Sequence, residues 1–171
     1  FEKLRETVRN GVHFLDNVVD ANTYPLKETE KITRANRKIG LGVMGFADML
    51  IKLGVPYDSE EALSIGEKVM RFIEEEGHKK SNELGEERGS FPNFEGSIWK
   101  DKYSAMRNAT VTTVAPTGTI SIIAGCSSGI EPIFAISFIR NVLSGTRLFE
   151  TNPLFEMMSK ERGFYSAKLL E

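Results

Sequence analysis

Hydrophobic residues recur with helical spacing over the first twenty positions of the chain. Apolar side chains three and four residues apart, with charged residues between them, predict an amphipathic helix over Glu2–Ala21; they are Leu4, Val8, Val12 and Leu15. Pro25 disfavours helical backbone angles at Tyr24, so we expect the helix to end before this turn. The polar stretch from Lys27 to Arg37 is a short helix or a loop.

A longer helical pattern follows in the first half of the chain. Asp58 or Ser59 can cap a helix that runs to Arg88, where Gly89 ends it. The residues expected on its buried face are Ala62, Ile65, Val69, Phe72 and Ile73. Its second half is densely charged, which favours a solvated face. The stretch Ser90–Ser104 has no clear period and is predicted to be an irregular packed loop.

Three glycines, Gly40, Gly42 and Gly45, precede another apolar pattern. Their spacing matches a dinucleotide-binding fingerprint, but that motif follows a strand, and the residues before Gly40 are basic and polar. We therefore favour a helix that enters a tight interface, where small residues allow close backbone approach. This helix is expected to run to about Leu53 and to end at Gly54.

Short apolar runs in the second half of the chain predict strands. The β-branched run Ala109–Ala115 is typical of a parallel strand that is buried on both faces. A turn is predicted at Pro116–Thr119 and a short helix at Ile120–Ala124. A second strand is predicted at Ile133–Ile139, and a tail helix capped by Asn152 at Pro153–Lys160.

Composition and charge exclude several functional classes for this chain. The chain has 171 residues, of which 40% are hydrophobic and 27% charged, which suits one domain or a large piece of a bigger one. A net charge of −2 argues against nucleic-acid binding by bulk charge, and no apolar run is long enough to cross a bilayer. One cysteine, Cys126, excludes an internal disulfide, a zinc cluster and a redox pair. We therefore expect a cytoplasmic, reducing setting.

The turn after the predicted strand is the segment that most resembles a binding site. A strand, a small-residue turn and a helix start expose backbone N–H groups, and the helix dipole favours an anion there. Gly118 allows a phosphate to approach the backbone, while the hydroxyls of Thr117, Thr119 and Ser121 add donors. The turn has no lysine, so it is not a Walker loop. The alternative is an ordinary capped turn without a ligand.

Other reactive residues carry weaker signals. Cys126 is either a reactive thiol or a small apolar residue. His13 and His78 lie far apart on expected helix surfaces and lack metal-ligand spacing, so no metal site is predicted. Glu131 precedes a proline and is either a buried, hydrogen-bonded carboxylate or a solvated turn residue.

Several runs of the chain together resemble the catalytic subunit of ribonucleotide reductase, in the family's order. They are Asn108–Ser121, Ser127–Pro132, the glycine-rich Arg37–Asp48, and the later landmarks Val142–Gly145, Asn152–Pro153 and Glu161–Gly163. The motifs Pro-Thr-Gly-Thr-Ile-Ser and Ser-Ser-Gly-Ile-Glu-Pro are typical of the adenosylcobalamin-dependent class. The oxygen-dependent class usually has Pro-Thr-Ala-Ser and an asparagine-rich loop at these places.

The resemblance implies a fold class and a site. The family fold is a ten-stranded α/β barrel, and this chain would be a helix-rich partial segment, the C-terminal part of the barrel domain. Within this single segment, residues 1–107 would be mainly helical, 108–140 would carry strand, phosphate turn, helix and strand, and 141–171 would form a tail with a helix. The substrate phosphate would bind at Pro116, Thr117, Gly118, Thr119, Ile120 and Ser121.

The resemblance also implies a reaction. The family replaces the 2′-hydroxyl of a ribonucleotide by hydrogen through a cysteine thiyl radical, and adenosylcobalamin would serve the parent enzyme. This sequence has no Asn-x-Cys-x-Glu motif and no cysteine pair, so we assign it no catalytic residue or cofactor of its own and expect it to be inactive alone. Expected partners are the ribonucleotide substrate and the remainder of the barrel, with a homo-oligomer as a further alternative. We expect binding to neither nucleic acid nor membrane. The alternatives are an oxygen-dependent large-subunit fragment and a standalone phosphate-binding module.

Overall fold

The computed structural model describes residues 1–142 and 146–169, which pack as two compact units. Unit 1 contains Phe1–Val43 and Leu63–Ala115, and unit 2 contains Met44–Ala62 and the described residues from Pro116 onward. The α-helices are α1 Glu2–Ala21, α2 Lys27–Asn36, α3 Phe46–Leu53, α4 Glu60–Arg88, α5 Gly118–Ala124 and α6 Pro153–Glu161. Phe94–Gly96 and Ala167–Leu169 are 3-10 turns, and the strands are β1 Ser137–Val142 and β2 Thr146–Thr151.

The helices of unit 1 follow the sequence pattern closely. Helix α1 has the predicted bounds and buries Val8 and Val12, and the polar stretch after it is helical. Helix α4 is capped by Ser59, whose Oγ accepts a hydrogen bond from the N–H of Ala62 at 3.2 Å. It ends at Gly89, which has φ +89°. These ends are predictable because each depends on one local residue type.

The charged half of α4 is largely solvated, as expected, but two of its residues depart from this pattern. Glu76 is buried, with its carboxylate 2.8 Å from Lys79 Nζ and 3.3 Å from Arg5 Nε. His78, expected on a surface, is half-buried and lies with its ring centroid 4.8 Å from that of Trp99. The solvated face is therefore confirmed for most of these charged residues, with Glu76 as the exception, and the surface position expected for His78 is only partly correct. Charge density along a helix does not reveal which of its charges find a partner in a neighbouring segment.

The glycine-rich segment is extended, and α3 begins only at Phe46. Leu41 pairs in parallel with Thr112, and the N–H of Leu41 donates to the oxygen of Val111 at 2.8 Å. A Cβ at Gly42 would lie 2.6 Å from the carbonyl oxygen of Thr113. The close backbone approach is confirmed, but an extended segment makes it where a helix was expected. Helix α3 ends at Gly54 as predicted.

A buried polar cluster holds the start of this pairing in place. Asp16, fully buried, accepts hydrogen bonds at Oδ1 from Arg37 Nε at 2.9 Å and Asn108 Nδ2 at 3.0 Å, and at Oδ2 from Arg107 Nε at 3.2 Å. Asn108 Nδ2 also donates to the carbonyl oxygen of Arg37 at 3.0 Å. Because Arg37 and Asn108 precede the two paired segments, the cluster fixes where the pairing begins.

The two predicted strands are only partly correct. The run 109–115 contains one parallel bridge and no regular strand, and beyond the buried Val111 the side chains of Thr113 and Val114 are exposed. Burial on both faces is therefore wrong for the described residues, because they do not cover the side chains of Thr113 and Val114. The apolar run 133–139 becomes a strand only from Ser137, where β1 pairs antiparallel with β2 from Ser137↔Thr151 to Val142↔Thr146.

The tail helix is confirmed. Asn152 Oδ1 accepts hydrogen bonds from the N–H groups of Leu154 at 3.0 Å and Phe155 at 3.1 Å, and α6 extends to Glu161, one residue beyond the prediction. The landmark Val142–Gly145 lies mostly outside the described residues. Among the residues that the structure describes, no helix is both long and apolar enough to span a membrane.

Candidate phosphate-binding site

The turn of residues 116–121 belongs to unit 2 and leads into α5, which begins at Gly118. Thr117 precedes the helix with φ +54°, a left-handed conformation that is rare for a β-branched residue. Its side chain makes no capping hydrogen bond to the helix. The first turn of α5 is therefore left without the usual side-chain acceptor.

Three backbone donors at the start of α5 are open to a ligand. The N–H groups of Gly118, Thr119 and Ile120 have no acceptor among residues 1–142 and 146–169, and all three residues are exposed. The next N–H, that of Ser121, donates to the carbonyl oxygen of Thr117 at 2.9 Å. Neighbouring free N–H groups at a helix start suit a phosphate oxygen, because the helix dipole adds positive potential there.

The hydroxyls of the turn divide into two groups. Thr119 is exposed, whereas Thr117 Oγ1 accepts a hydrogen bond from the N–H of Gly129 at 2.6 Å. Ser121 is 2% exposed, and its Oγ donates to the carbonyl oxygen of Gly118 at 3.2 Å and lies 2.9 Å from Ser128 Oγ. Thr117 and Ser121 thus hold the turn to the loop of residues 125–129, hereafter the serine loop.

The serine loop is held in turn by α3. The N–H of Ser127 donates to Asp48 Oδ2 at 2.8 Å, and the N–H of Asp48 donates back to Ser127 Oγ at 3.3 Å. The N–H of Gly45 donates to the carbonyl oxygen of Ser127 at 2.7 Å. Sequence reasoning missed Asp48: an acid in a first helical turn is common, and its partner is 79 residues away.

An open cavity of about 490 Å³ adjoins the turn within unit 2. Its polar lining includes Asp48, Ser121 and Ser128, and its apolar lining includes Phe134 and Ile122. Pockets of 300–1,000 Å³ hold drug-sized ligands, so the volume suits a nucleotide-sized molecule.

The other candidate residues play smaller parts. Cys126 is partly exposed, with its Cβ 3.5 Å from the Cβ position of Gly45. Glu131 is exposed, which selects the solvated-turn alternative. His13 and His78 both lie in unit 1, away from the turn in sequence. Within the described part of the chain, no group of three or more His, Cys, Asp or Glu side chains is placed to hold a metal ion.

Comparison with known proteins gives consistent matches. The family description "Ribonucleotide reductase, barrel domain" matches residues 1–105 and 102–171. The vitamin B12-dependent ribonucleoside-diphosphate reductase of Thermoplasma acidophilum is 62% identical over 170 residues, covering 99% of this chain and 22% of that protein. The protein of the same name from Mycobacterium tuberculosis is 49% identical, covering 99% of this chain and 24% of that protein.

A solved structure shares the fold. The class Id ribonucleotide reductase alpha subunit of Actinobacillus ureae matches with a TM-score of 0.75 at 24% identity, covering 95% of this chain and 29% of that one. This chain spans less than a quarter of the length of the two reductases above. The matches in sequence and fold, over nearly the whole chain, show that it belongs to the ribonucleotide reductase barrel-domain family.

Proposed function

We propose that this chain is part of a ribonucleoside-diphosphate reductase and supplies the turn that holds the phosphates of its substrate. The observation that carries the proposal is the set of exposed N–H groups of Gly118, Thr119 and Ile120, which have no acceptor within the described part of the chain. They stand in a chain whose relatives are named for acting on ribonucleoside diphosphates. Backbone donors fix a phosphate without a proton transfer, so the turn positions substrate and does not react with it.

The hydroxyls of the turn support the N–H groups in two ways. Thr119 is exposed, and its hydroxyl, which has no hydrogen-bond partner among the residues that the structure describes, can donate to a phosphate oxygen beside the backbone groups. Thr117 and Ser121 act by holding the turn in shape, because both are bonded to the serine loop. Pro116 completes the turn as the residue before Thr117 and has no N–H to leave unpaired.

The reduction itself is assigned to residues outside this chain. The family's thiyl-radical chemistry needs a radical cysteine and a reducing cysteine pair, and this chain has one cysteine in total. Cys126 belongs to the serine loop and lies against Gly45 at the start of α3, and we give it no catalytic role. We therefore propose that the chain works with the remainder of a longer reductase in the cytoplasm, where thiols stay reduced.

The cofactor proposed for the whole enzyme is adenosylcobalamin, which supplies the initiating radical when bound. Both relatives at 62% and 49% identity are named vitamin B12-dependent, which favours this class over the oxygen-dependent one. The cavity of about 490 Å³ beside the turn is of a size for a drug-like ligand, and a corrinoid is larger than that. The described residues therefore do not fit the cofactor, and its site is assigned to other parts of the enzyme.

Substitution of Gly118 by valine in the full-length reductase tests the phosphate site. A Cβ at Gly118 meets no heavy atom within 4 Å, and the backbone there is unstrained, so the protein itself tolerates the change. Branched side-chain atoms at this point would obstruct the anion. We expect the dissociation constant for a ribonucleoside diphosphate to rise at least about 10-fold, as measured by calorimetry.

Gly96→Val is the matched control, because a Cβ at Gly96 also meets nothing within 4 Å and the residue lies in unit 1. It should leave the affinity unchanged. Unchanged affinity in Gly118→Val would show that the phosphates bind elsewhere.

A further inference from the structure

Asp48 is joined to the phosphate turn by a continuous series of hydrogen bonds inside unit 2. Its carboxylate accepts a hydrogen bond from the N–H of Ser127 at 2.8 Å, and the N–H of Asp48 donates to Ser127 Oγ at 3.3 Å. The residues that follow Ser127 make the next contacts: Ser128 Oγ lies 2.9 Å from Ser121 Oγ, and the N–H of Gly129 donates to Thr117 Oγ1 at 2.6 Å. The serine loop is thus bonded to α3 on one side and to the turn on the other.

The turn needs such support, because its own conformation is costly. Thr117 sits at φ +54°, where a β-branched residue is uncommon, and a residue of that kind persists only when its surroundings hold it. The contact that reaches its side chain is the hydrogen bond from Gly129. The direction of the free N–H groups of the turn therefore depends on where the serine loop is placed.

From these contacts we infer that Asp48 is a positioning residue for phosphate binding, acting through the serine loop and not by touching the substrate. This inference rests on the proposed function of the turn. A carboxylate is suited to this task, since its hydrogen bond to a backbone N–H is charge-assisted and stronger than a bond between neutral groups. Helix α3 supplies a firm base, because Ala47 and Leu50 on either side of Asp48 are buried.

The inference predicts a defect that is specific to phosphate. In the full-length reductase, Asp48→Ala should raise KM for a ribonucleoside diphosphate and the inhibition constant of inorganic pyrophosphate by the same factor, about 3- to 10-fold. The Tm should change little, because Asp48 is only partly buried, and kcat should change little, because the inferred role of Asp48 is to place the serine loop. Asp48→Asn keeps an oxygen acceptor for the N–H of Ser127 and should restore most of the affinity.

A second variant tests whether Asp48 affects phosphate binding through the serine loop. Ser128→Ala removes the contact to Ser121 Oγ and should raise KM in the same direction. Because both variants loosen the same loop, the double variant should raise KM by less than the product of the two single effects. Asp58→Ala makes the same chemical change at an exposed position of unit 2 and should leave KM unchanged.

The results of these experiments distinguish a failure of the positioning role of Asp48 from a failure of the phosphate site itself. If Gly118→Val weakens phosphate binding and Asp48→Ala leaves KM unchanged, the phosphate site stands and the positioning role is wrong. A fall in Tm and kcat at constant KM would show that Asp48 only stabilises the fold. If neither Gly118→Val nor Asp48→Ala alters binding of pyrophosphate, both the site and the positioning role are wrong.

Discussion

His78 illustrates how burial of a single residue couples stability to pH. Its ring centroid lies 4.8 Å from that of Trp99 and 6.3 Å from that of Tyr103. Burial lowers the pKa of His78 below its ordinary value of 6.5, which Glu74 opposes and Lys102 reinforces. The unfolded chain therefore takes up this proton at a higher pH than the folded chain. The contribution of neutral His78 to the free energy of unfolding is consequently fully present above about pH 6.5 and declines as the pH falls below that value.

Replacement of His78 by phenylalanine should remove this dependence, since the variant keeps a ring against Trp99 and loses the titrating group. We expect the free energy of unfolding of the unmodified chain to fall between about pH 7.5 and about pH 5.5, and that of His78→Phe to fall less. Denaturant unfolding at the two pH values measures both. Asp20, whose pKa is lowered by its hydrogen bond from Arg37, responds only in more acidic solution.

Tyr103→Phe is the control, because it alters the same ring cluster without removing a group that titrates near neutral pH. It should keep the pH dependence of the unmodified chain. Equal losses of stability in the unmodified chain and in His78→Phe would contradict the assignment to His78.

Single residues divide into those that the sequence predicts and those that it does not. Gly54, Gly89 and Asn152 end or cap helices through contacts within a few residues, so local chemistry predicts them. Asp48 accepts a hydrogen bond from a residue 79 positions away, and Thr117, which has a positive φ, accepts one from a residue of the same loop. Such features depend on the tertiary fold, which the local pattern does not contain.

At the scale of elements, the parallel pairing of residues 39–41 with 110–113 explains the glycine-rich motif. The N–H of Ile39 donates to the oxygen of Thr110 at 3.1 Å, and the N–H of Thr113 donates to the oxygen of Leu41 at 3.1 Å. The next residue, Gly42, lies against the carbonyl group of Thr113. A glycine is needed there because the two backbones approach too closely for a side chain.

Gly42→Ala should therefore separate the two segments. The added Cβ would lie 2.6 Å from the carbonyl oxygen of Thr113, a backbone atom that moves only with its segment. We expect the free energy of unfolding to fall by about 1–3 kcal/mol. Gly96→Ala, at a position with open space around the added Cβ, is the control for denaturant unfolding. Equal stability of the two variants would contradict the close approach.

Element types were easier to predict than strand partners. The β-branched run 109–115 pairs in parallel with the glycine-rich segment, but a regular strand also needs a continuous ladder, and this run makes a single bridge among the described residues. Leu41 is the residue that bridges to it among the described residues. Helices α1, α4 and α6 complete their hydrogen bonds internally, so their patterns were sufficient to predict them.

At the scale of the whole molecule, both units expose large apolar side chains. Val114 in unit 1 is 62% exposed, and Ile123 and Phe134 in unit 2 are 81% and 93% exposed. Exposed apolar surface of this kind marks an interaction site. The chain spans only 22% of the Thermoplasma acidophilum reductase, and we propose that the remainder of a longer reductase covers these residues.

The central claim is that the turn of residues 116–121 holds the substrate's phosphates. A crystal structure of the full-length reductase with a ribonucleoside diphosphate tests it most directly. We expect phosphate oxygens at about 2.7–3.2 Å from the backbone nitrogens of Gly118, Thr119 and Ile120, which are unpaired among the described residues. Phosphates bound at another part of the enzyme, with these three N–H groups facing only solvent, would contradict the claim.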